Sequence, residues 1–327
     1  MVIYSFRRLM KFKISKISSK IHVISCRDFL CDNHVIFWRQ HLRMNEISEN
    51  IVFNNKNDKK YQSMLNNLLK NIFLDFQFWY DLNLWDDNYE SYAIVEQDEI
   101  VSNICVFKTQ LIFNHKQYLA LSLGAVATKK ECRGKGYSKT LMDHIISKYN
   151  NIPMYLSANE SVVDFYPKFG FTRTYEKLPI YECEINNQIE PKKLQYDNAK
   201  VWEYIYKRKN FSQKLDCLNT FSVNMFHIYL GYLKDCIYEI PEIDTMIIAE
   251  NKGSTLKLIG VFSLKNVSFS ELLKHLPFRN IKKIEFGFTP YWSDINYTMQ
   301  EYETDPLYVR NVNCNLGDFK FPELSTT

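Results

Sequence analysis

The stretch Val126-Ala127-Thr128-Lys129-Lys130-Glu131-Cys132-Arg133-Gly134-Lys135-Gly136-Tyr137-Ser138 decides how this chain is read. The apolar run from Tyr118 to Thr128 that leads into it has the pattern of a strand. The strand ends in a loop with two glycines, and an amphipathic helix follows at once, with Leu141, Met142, Ile145, Ile146 and Tyr149 on one side. Glycines leave backbone N–H groups uncovered. Unpaired N–H groups at a helix start, with the helix dipole behind them, favour an anion such as a pyrophosphate. Arg133 and Lys135 add positive charge beside it. The loop is not a Walker A motif, since no Gly-Lys-Ser/Thr follows the required gap, and it lacks the third glycine of a dinucleotide fingerprint. Taken alone, Arg-x-x-Gly-x-Ser also fits an ordinary strand-to-helix turn.

Working outward, Tyr61, Met64, Leu65, Leu68, Leu69 and Ile72 recur at helical spacing and predict one amphipathic helix. An aromatic stretch with Phe76, Phe78, Trp79, Tyr80 and Trp85 follows it. Tyr92 to Val95, Ile100 to Phe107 and Tyr118 to Thr128 then read as strands joined by polar turns at Gln97-Asp98 and Asn114-His115-Lys116. Beyond the glycine loop come a strand at Pro153 to Ser157, a short helix at Glu160 to Lys168 and extended chain from Phe171 to Ile185. This is an α/β plan. The polar run Asn54 to Lys60 and the connector around Pro191-Lys192-Lys193 divide the chain into an N-terminal extension (1–55), a first domain (56–187) and a second, smaller α/β domain (195–327). None of the later glycines, Gly231, Gly253, Gly260, Gly287 and Gly317, rebuilds the loop, so the second domain lacks a phosphate site.

Length and composition agree with this plan: 327 residues, 46% hydrophobic and 24% charged, suit two globular domains and exclude wholesale disorder. Residues 1–27 carry seven basic groups (Arg7, Arg8, Lys11, Lys13, Lys16, Lys20 and Arg27) and no acid, which leaves the body 34 basic against 37 acidic residues. A body near −3 is no nucleic-acid binder on charge grounds. The basic start superficially suits a transit peptide. Its apolar runs are too broken for a secretory signal or a membrane span, and it reads as a ragged extension with Met10 as the start. The eight cysteines form no C-x-x-C pair, and the seven histidines have no zinc spacing. No metal site and no disulfide framework are expected, and a reducing, cytoplasmic setting fits.

Asn159 and Phe165-Tyr166-Pro167-Lys168-Phe169-Gly170-Phe171 lie downstream of the loop at the spacing that one strand and one helix give. Together with Arg133 to Ser138 they resemble the GNAT superfamily of acyl-CoA N-acyltransferases, whose members join an Arg/Gln-x-x-Gly-x-Gly/Ala loop to a downstream Asn and a Phe-Tyr-x-x-x-Gly-Phe. The likeness covers about residues 60–185 and looks closest to bacterial two-domain GNAT proteins. Trp79-Tyr80, Trp85, the Ser138 to Leu141 spacing and the terminal Phe319 to Ser325 are similar to that group. The resemblance implies a mixed central sheet flanked by helices, with a second GNAT-like half that shapes the acceptor side. It also implies acetyl-CoA as co-substrate, without metal, and direct acetyl transfer to a primary amine of a small molecule or peptide. The backbone of Val126, Ala127 and Thr128 is then expected to bond the pantetheine arm and acetyl carbonyl. Arg133, Gly134, Lys135, Gly136, Tyr137 and Ser138 are expected to cradle the pyrophosphate, Asn159 to hold the pantetheine, and Tyr166 to protonate the departing thiolate. Ser138 departs from the Gly or Ala of most members, with an oxygen that could bond phosphate, and Lys130 stands where many have Pro. The alternative is a non-catalytic acyl-CoA-binding or regulatory module.

Other residues have plainer readings. Helical periodicity alone makes Tyr166 a core aromatic beside Phe165 and Phe169. Trp79, Tyr80 and Trp85 could line an acceptor pocket, though aromatics after an amphipathic helix are more often core. Asp86, Asp87 and Glu90 could draw in or deprotonate a cationic amine, but a solvated acidic turn is the commoner explanation. Cys132 adjoins the loop without a partner histidine and is read as structural, and His144 as surface or packing.

Overall fold

The structure, a computed structural model, describes residues 51–53, 56–209, 212–229, 233–303, 305–312 and 316–326. The basic start and Met10 lie outside the described residues. In chain order the elements are β1 (Ile51–Phe53), α1 (Lys59–Lys70), α2 (Gln77–Asp81), β2 (Tyr89–Glu96), β3 (Glu99–Phe113), β4 (Lys116–Thr128), α3 (Tyr137–Lys148), β5 (Met154–Ser157), β6 (Thr172–Thr174), β7 (Lys177–Ile185) and β8 (Lys192–Lys193). They continue with α4 (Ala199–Lys207), β9 (Leu215–Leu218), α5 (Phe221–Tyr229), β10 (Ile237–Ile240), β11 (Thr245–Lys252), β12 (Thr255–Ser263), α6 (Phe269–His275), β13 (Ile281–Phe286), β14 (Thr298–Glu301) and β15 (Leu307–Arg310).

The polar turns form as expected: Gln97 and Asp98, then Asn114 and His115, all take positive φ and close two-residue hairpins. Helix α1 starts at Asp58, whose carboxylate accepts from the Lys60 and Tyr61 amides at 2.8 and 3.2 Å. Its buried face is Tyr61, Leu65, Leu68 and Leu69, each contributing about 2 kcal/mol by removal from water. The helix expected at 160–168 is instead two 3-10 turns, Glu160–Val162 and Tyr166–Phe169. Pro167 has no N–H to donate to a helical ladder.

Among the described residues two sheets result, ordered β1-β2-β3-β4-β5-β15-β6 (with β9 on the distal end of β3) and β14-β7-β13-β12-β11-β10-β8. Strand allocation does not follow the expected boundaries. Ile51–Phe53, read as extension, pairs antiparallel with β2. Strand β7 leaves the first sheet for the second, and the connector contributes β8 to that sheet. In return β9 and β15 cross into the first sheet, β15 lying between β5 and β6. One face of the first sheet (Tyr92, Ile94, Ile104, Val106, Leu121, Leu123) packs on Leu141, Met142 and Ile145 of α3. Its other face, with Ala93, Ile100 and Ala127, meets α1, Trp79 and Trp85, and beyond them Val201, Tyr204, Met225 and Ile228 of α4 and α5.

Candidate functional site

The site is built where two parallel strands part. Strands β4 and β5 are in register at Leu121↔Met154 and Ser122↔Tyr155. Beyond that, β4 continues to Thr128 and β5 to Ser157 without pairing to each other. On β4 the register with β3 slips between Asn103 and Cys105, and Ala125 adopts φ 46°. This β-bulge turns the strand's final peptide units out of the regular ladder. Val126 packs toward the α3 face, and Ala127 is buried on the α1 face.

Past Thr128, a 3-10 turn at Lys130–Cys132 leads into Gly134 (φ 77°) and Gly136 (φ 91°), and α3 begins at Tyr137. These φ values are cheap only for glycine. A Cβ on either glycine would meet nothing within 4 Å, so the space before the loop is open. Among the described residues, no backbone acceptor takes the amides of Gly134, Lys135 or Gly136. Behind them stands a helix of 12 residues whose first turn carries no acidic side chain. Arg133 is exposed, its Nε 3.4 Å from the Thr128 carbonyl, and Lys135 lies 5.8 Å from the Tyr137 ring centroid.

Two of the expected phosphate-loop side chains are committed elsewhere. The buried Tyr137 donates its hydroxyl to Glu96, leaving its main chain at the helix start. The Ser138 hydroxyl lies 2.6 Å from the Thr128 hydroxyl, which lies 2.8 Å from Ser102, which donates to the Ala127 carbonyl at 3.1 Å. A carbonyl only accepts, so the proton order runs from Ser138 to Thr128 to Ser102 to Ala127. The Ser138 proton is thereby used inward and is not free for a phosphate.

Asn159 is exposed, and its Oδ1 accepts from the Ser161 amide at 2.9 Å, which leaves Nδ2 toward solvent. Tyr166 is 5% exposed and sits against Phe165, Tyr308 and Phe171 with ring centroids 5.3, 5.5 and 6.1 Å away. Among the described residues nothing hydrogen-bonds its hydroxyl. Burial, with Tyr308 adding to it, pushes the phenol up to about 12, so it stays protonated at neutral pH. Tyr166 and Val126 border the same core cluster.

The aromatic and acidic candidates separate clearly. Trp79 and Trp85 are core, at 6% and 5% exposure. Tyr80 and Trp85 also border a cavity of ≈ 320 Å³ with Lys56, Asn57, Gln62, Asn83, Asp86 and Asp87. Asp86 accepts from Ser222 at 2.6 Å and from the Asn88 amide at 2.8 Å, and Asp87 pairs with Lys56, which holds its carboxyl below the usual range. Glu90 takes no part in that cavity. Burial would raise its carboxyl, but Lys108 at 2.6 Å, Tyr149 and Tyr92 outweigh burial and hold it low. Cys132 is buried, and His144 lies exposed beside Tyr92. Among the described residues no group of three or more His, Cys, Asp and Glu could hold a metal ion, and no helix is long and apolar enough to cross a membrane.

The second sheet repeats the geometry with the opening filled. Strands β12 and β13 run parallel from Thr255↔Lys283 to Leu258↔Phe286 and pair no further. The gap is closed by the chain's own end: Glu323 N–H donates to the Gly287 carbonyl at 2.8 Å, and Asn224 donates to the Leu324 carbonyl at 2.6 Å. A Cβ on Gly260 would stand 2.8 Å from Leu324 Cδ1. A cavity of ≈ 40 Å³ is left there. Sequence reading missed this strap and also missed Ser102 and Asn103. Their one signal was two polar residues inside the apolar strand Ile100 to Phe107.

Comparison with known proteins agrees with the geometry. Residues 51–174 match the family model of an acetyltransferase (GNAT) domain. No curated protein matches the chain. Among solved structures, the chain is similar to a probable N-acyltransferase from Enterococcus faecalis, itself described as a conserved protein of unknown function (12% identity, TM-score 0.50, 84% of this chain and 73% of that one). It is also similar to Eis1 from Mycobacterium abscessus (12%, 0.51, 80% and 72%) and to a GCN5-related N-acetyltransferase from Anabaena variabilis (15%, 0.50, 80% and 73%). At such identities the likeness concerns the fold.

Proposed function

We propose that this chain, whose residues 51–174 are a GNAT-superfamily acyltransferase domain, moves an acetyl group from acetyl-CoA directly to a primary amine. The observation that carries the reading is the open parting of β4 from β5, with the amides of Gly134, Lys135 and Gly136 unmatched at its rim. Those amides, with the dipole of α3 and the charges of Arg133 and Lys135, suit a pyrophosphate. The backbone of Val126 to Thr128 offers the pantetheine arm and thioester carbonyl an unpaired strand edge, and Asn159 Nδ2 offers a further donor.

In the transfer, the neutral amine attacks the thioester carbonyl carbon. The C–N bond forms as the C–S bond breaks, and the sulfur leaves with the electron pair. The charge that gathers on the carbonyl oxygen is met by amides of the β4 bulge. Tyr166 meets the charge that gathers on sulfur. Its phenol, pushed up to about 12, holds its proton more tightly than a thiol does, so it acts as a hydrogen-bond donor that transfers its proton late. The attacking nitrogen, cationic after attack, supplies the proton that restores it.

On this reading the acceptor enters from the α1 side of the sheet. There a cavity is bordered by Tyr80, Trp85, Asp86 and Asp87. The second half, its own opening strapped shut, completes that side rather than binding a second acyl-CoA. A reducing cytoplasm suits Cys105, Cys132, Cys183 and Cys217, which form no disulfide among the described residues. The test is thiol release from acetyl-CoA across a panel of polyamines, aminoglycosides, amino acids and peptide N-termini. One or more amines should gain the mass of an acetyl group with an equivalent of free thiol. Binding of acetyl-CoA with no turnover on any amine supports the non-catalytic module instead.

A further inference from the structure

Strand β3 places two consecutive polar side chains, Ser102 and Asn103, in full burial directly behind the end of β4. Asn103 Nδ2 donates to the Ala125 carbonyl at 3.1 Å and approaches Cys105 Sγ at 3.1 Å. Its Oδ1 accepts from the Ser91 hydroxyl at 2.8 Å, and Ser91 lies 2.7 Å from the Tyr61 hydroxyl. The carbonyl fixes the direction of the whole network, because it only accepts. The amide nitrogen must face Ala125, Ser91 must then donate to Asn103, and Tyr61 must donate to Ser91. On the other face of β3, Ser102 donates to the Ala127 carbonyl at 3.1 Å.

The two captured carbonyls have a geometric consequence. In a trans peptide the C=O and the following N–H point in opposite directions, and no peptide among the described residues is cis. Drawing the Ala125 and Ala127 carbonyls toward β3 therefore turns the Val126 and Thr128 N–H groups away from it, toward the opening where β5 no longer pairs. The bulge itself needs such help. Ala125 holds a left-handed φ of 46° without being glycine, and its carbonyl, displaced from the ladder, would otherwise be an unpaired acceptor.

We propose that Ser102 and Asn103 are positioning residues: from the buried side of β4 they aim the Val126 and Thr128 amides at the acyl-CoA thioester. This rests on the acyl-CoA reading above. The two residues touch no substrate. They act through β4, and Ser102 also ties β4 to the start of α3 through Thr128 and Ser138.

The experiment is the infrared carbonyl stretch of acetyl-CoA, carbon-13 labelled at the thioester carbonyl and bound to wild type, Asn103→Leu and Ser102→Ala, with CoA affinity measured by calorimetry. Polarisation by aimed amides should lower the stretch in wild type relative to free acetyl-CoA. In both variants it should return toward the free value. In Asn103→Leu the pyrophosphate contacts of the glycine loop remain, so the CoA affinity should fall by less than about tenfold. A wild-type stretch in Asn103→Leu overturns the proposal. So does a parallel loss of CoA affinity and melting temperature, which marks a structural role. Wild type that binds neither CoA nor acetyl-CoA removes the acyl-CoA reading itself. If Asn103→Leu does not fold, Asn103→Asp decides. Its neutral acid regains a donor, so the stretch should move toward the wild-type value as pH falls, while wild type stays constant. A stretch in Asn103→Asp that ignores pH overturns the proposal.

Discussion

Replacing Tyr166 by phenylalanine removes one oxygen from a side chain that is 5% exposed. Because no described group hydrogen-bonds that hydroxyl, its loss orphans no buried donor or acceptor, and the ring contacts with Phe165, Phe171 and Tyr308 remain. Stability should change by no more than about 1 kcal/mol in either direction, because the ring packing is kept and no hydrogen bond among the described residues is lost. Catalysis should fall far more. A positioned proton donor contributes about 10²–10⁴ in rate, or about 3–5 kcal/mol of barrier. With the phenol pushed up to about 12, the lower half of that range is expected, because the donor yields its proton reluctantly. Single-turnover thiol release at saturating acetyl-CoA reads the rate, calorimetry the affinity and thermal melting the fold. A loss of about a hundredfold or more in rate is expected, with affinity and melting unchanged. A rate within a few-fold of wild type would make Tyr166 a core aromatic and no more. A large drop in melting temperature would reveal a structural partner for the hydroxyl.

Three further outcomes are expected from the same structure. Wild-type rate should show no falling alkaline limb from Tyr166 up to about pH 11, because its phenol is pushed up to about 12, and a limb that Tyr166→Phe abolishes at lower pH contradicts this. Gly287→Ala would set a Cβ 3.0 Å from both Cα and O of Ile259, backbone atoms that yield little. It should cost about 1–3 kcal/mol and several degrees of melting temperature, with acetyl-CoA affinity unchanged, and an unaltered melting temperature refutes the close fit. Glu90, Glu239 and Glu323 are each held below the ordinary carboxylate range: burial opposes their charge, but lysine partners, and for Glu90 tyrosine hydroxyls as well, outweigh it. Their folded values lie below the unfolded ones, so the stability they contribute is complete above about pH 5 and is lost as pH falls through the folded values. A melting temperature that stays flat from neutral pH to about pH 3.5 contradicts that linkage.

Much of the first sheet was legible in the sequence because its signals are local. The leucine stripe of α1, the turns at Gln97-Asp98 and Asn114-His115, and the two glycines before α3 each depend on residues close in the chain. The glycine loop was readable because positive φ at Gly134 and Gly136 needs glycine whatever the surroundings. What stayed hidden is long-range. Nothing local in Leu307–Arg310 says that it pairs between Met154–Ser157 and Thr172–Thr174, or that Lys177–Ile185 joins the other sheet. The strap of Glu323 and Leu324 against Gly287 and Asn224 is equally non-local. At the site, residue type identified the backbone donors but not the occupation of side chains. The Ser138 hydroxyl is bound inward by a threonine ten positions earlier, a partner the loop motif does not contain.

The central claim is that acyl-CoA occupies the opening between β4 and β5 with its phosphates at the glycine loop. Calorimetric titration of acetyl-CoA into wild type and Gly136→Glu tests it most directly, because the new side chain would fill open space before the loop amides with negative charge. One acetyl-CoA per chain is expected in wild type, the second sheet's opening being closed, with binding lost or weakened at least about tenfold in the variant. Absence of binding to wild type, two sites per chain, or equal affinity in Gly136→Glu would contradict it.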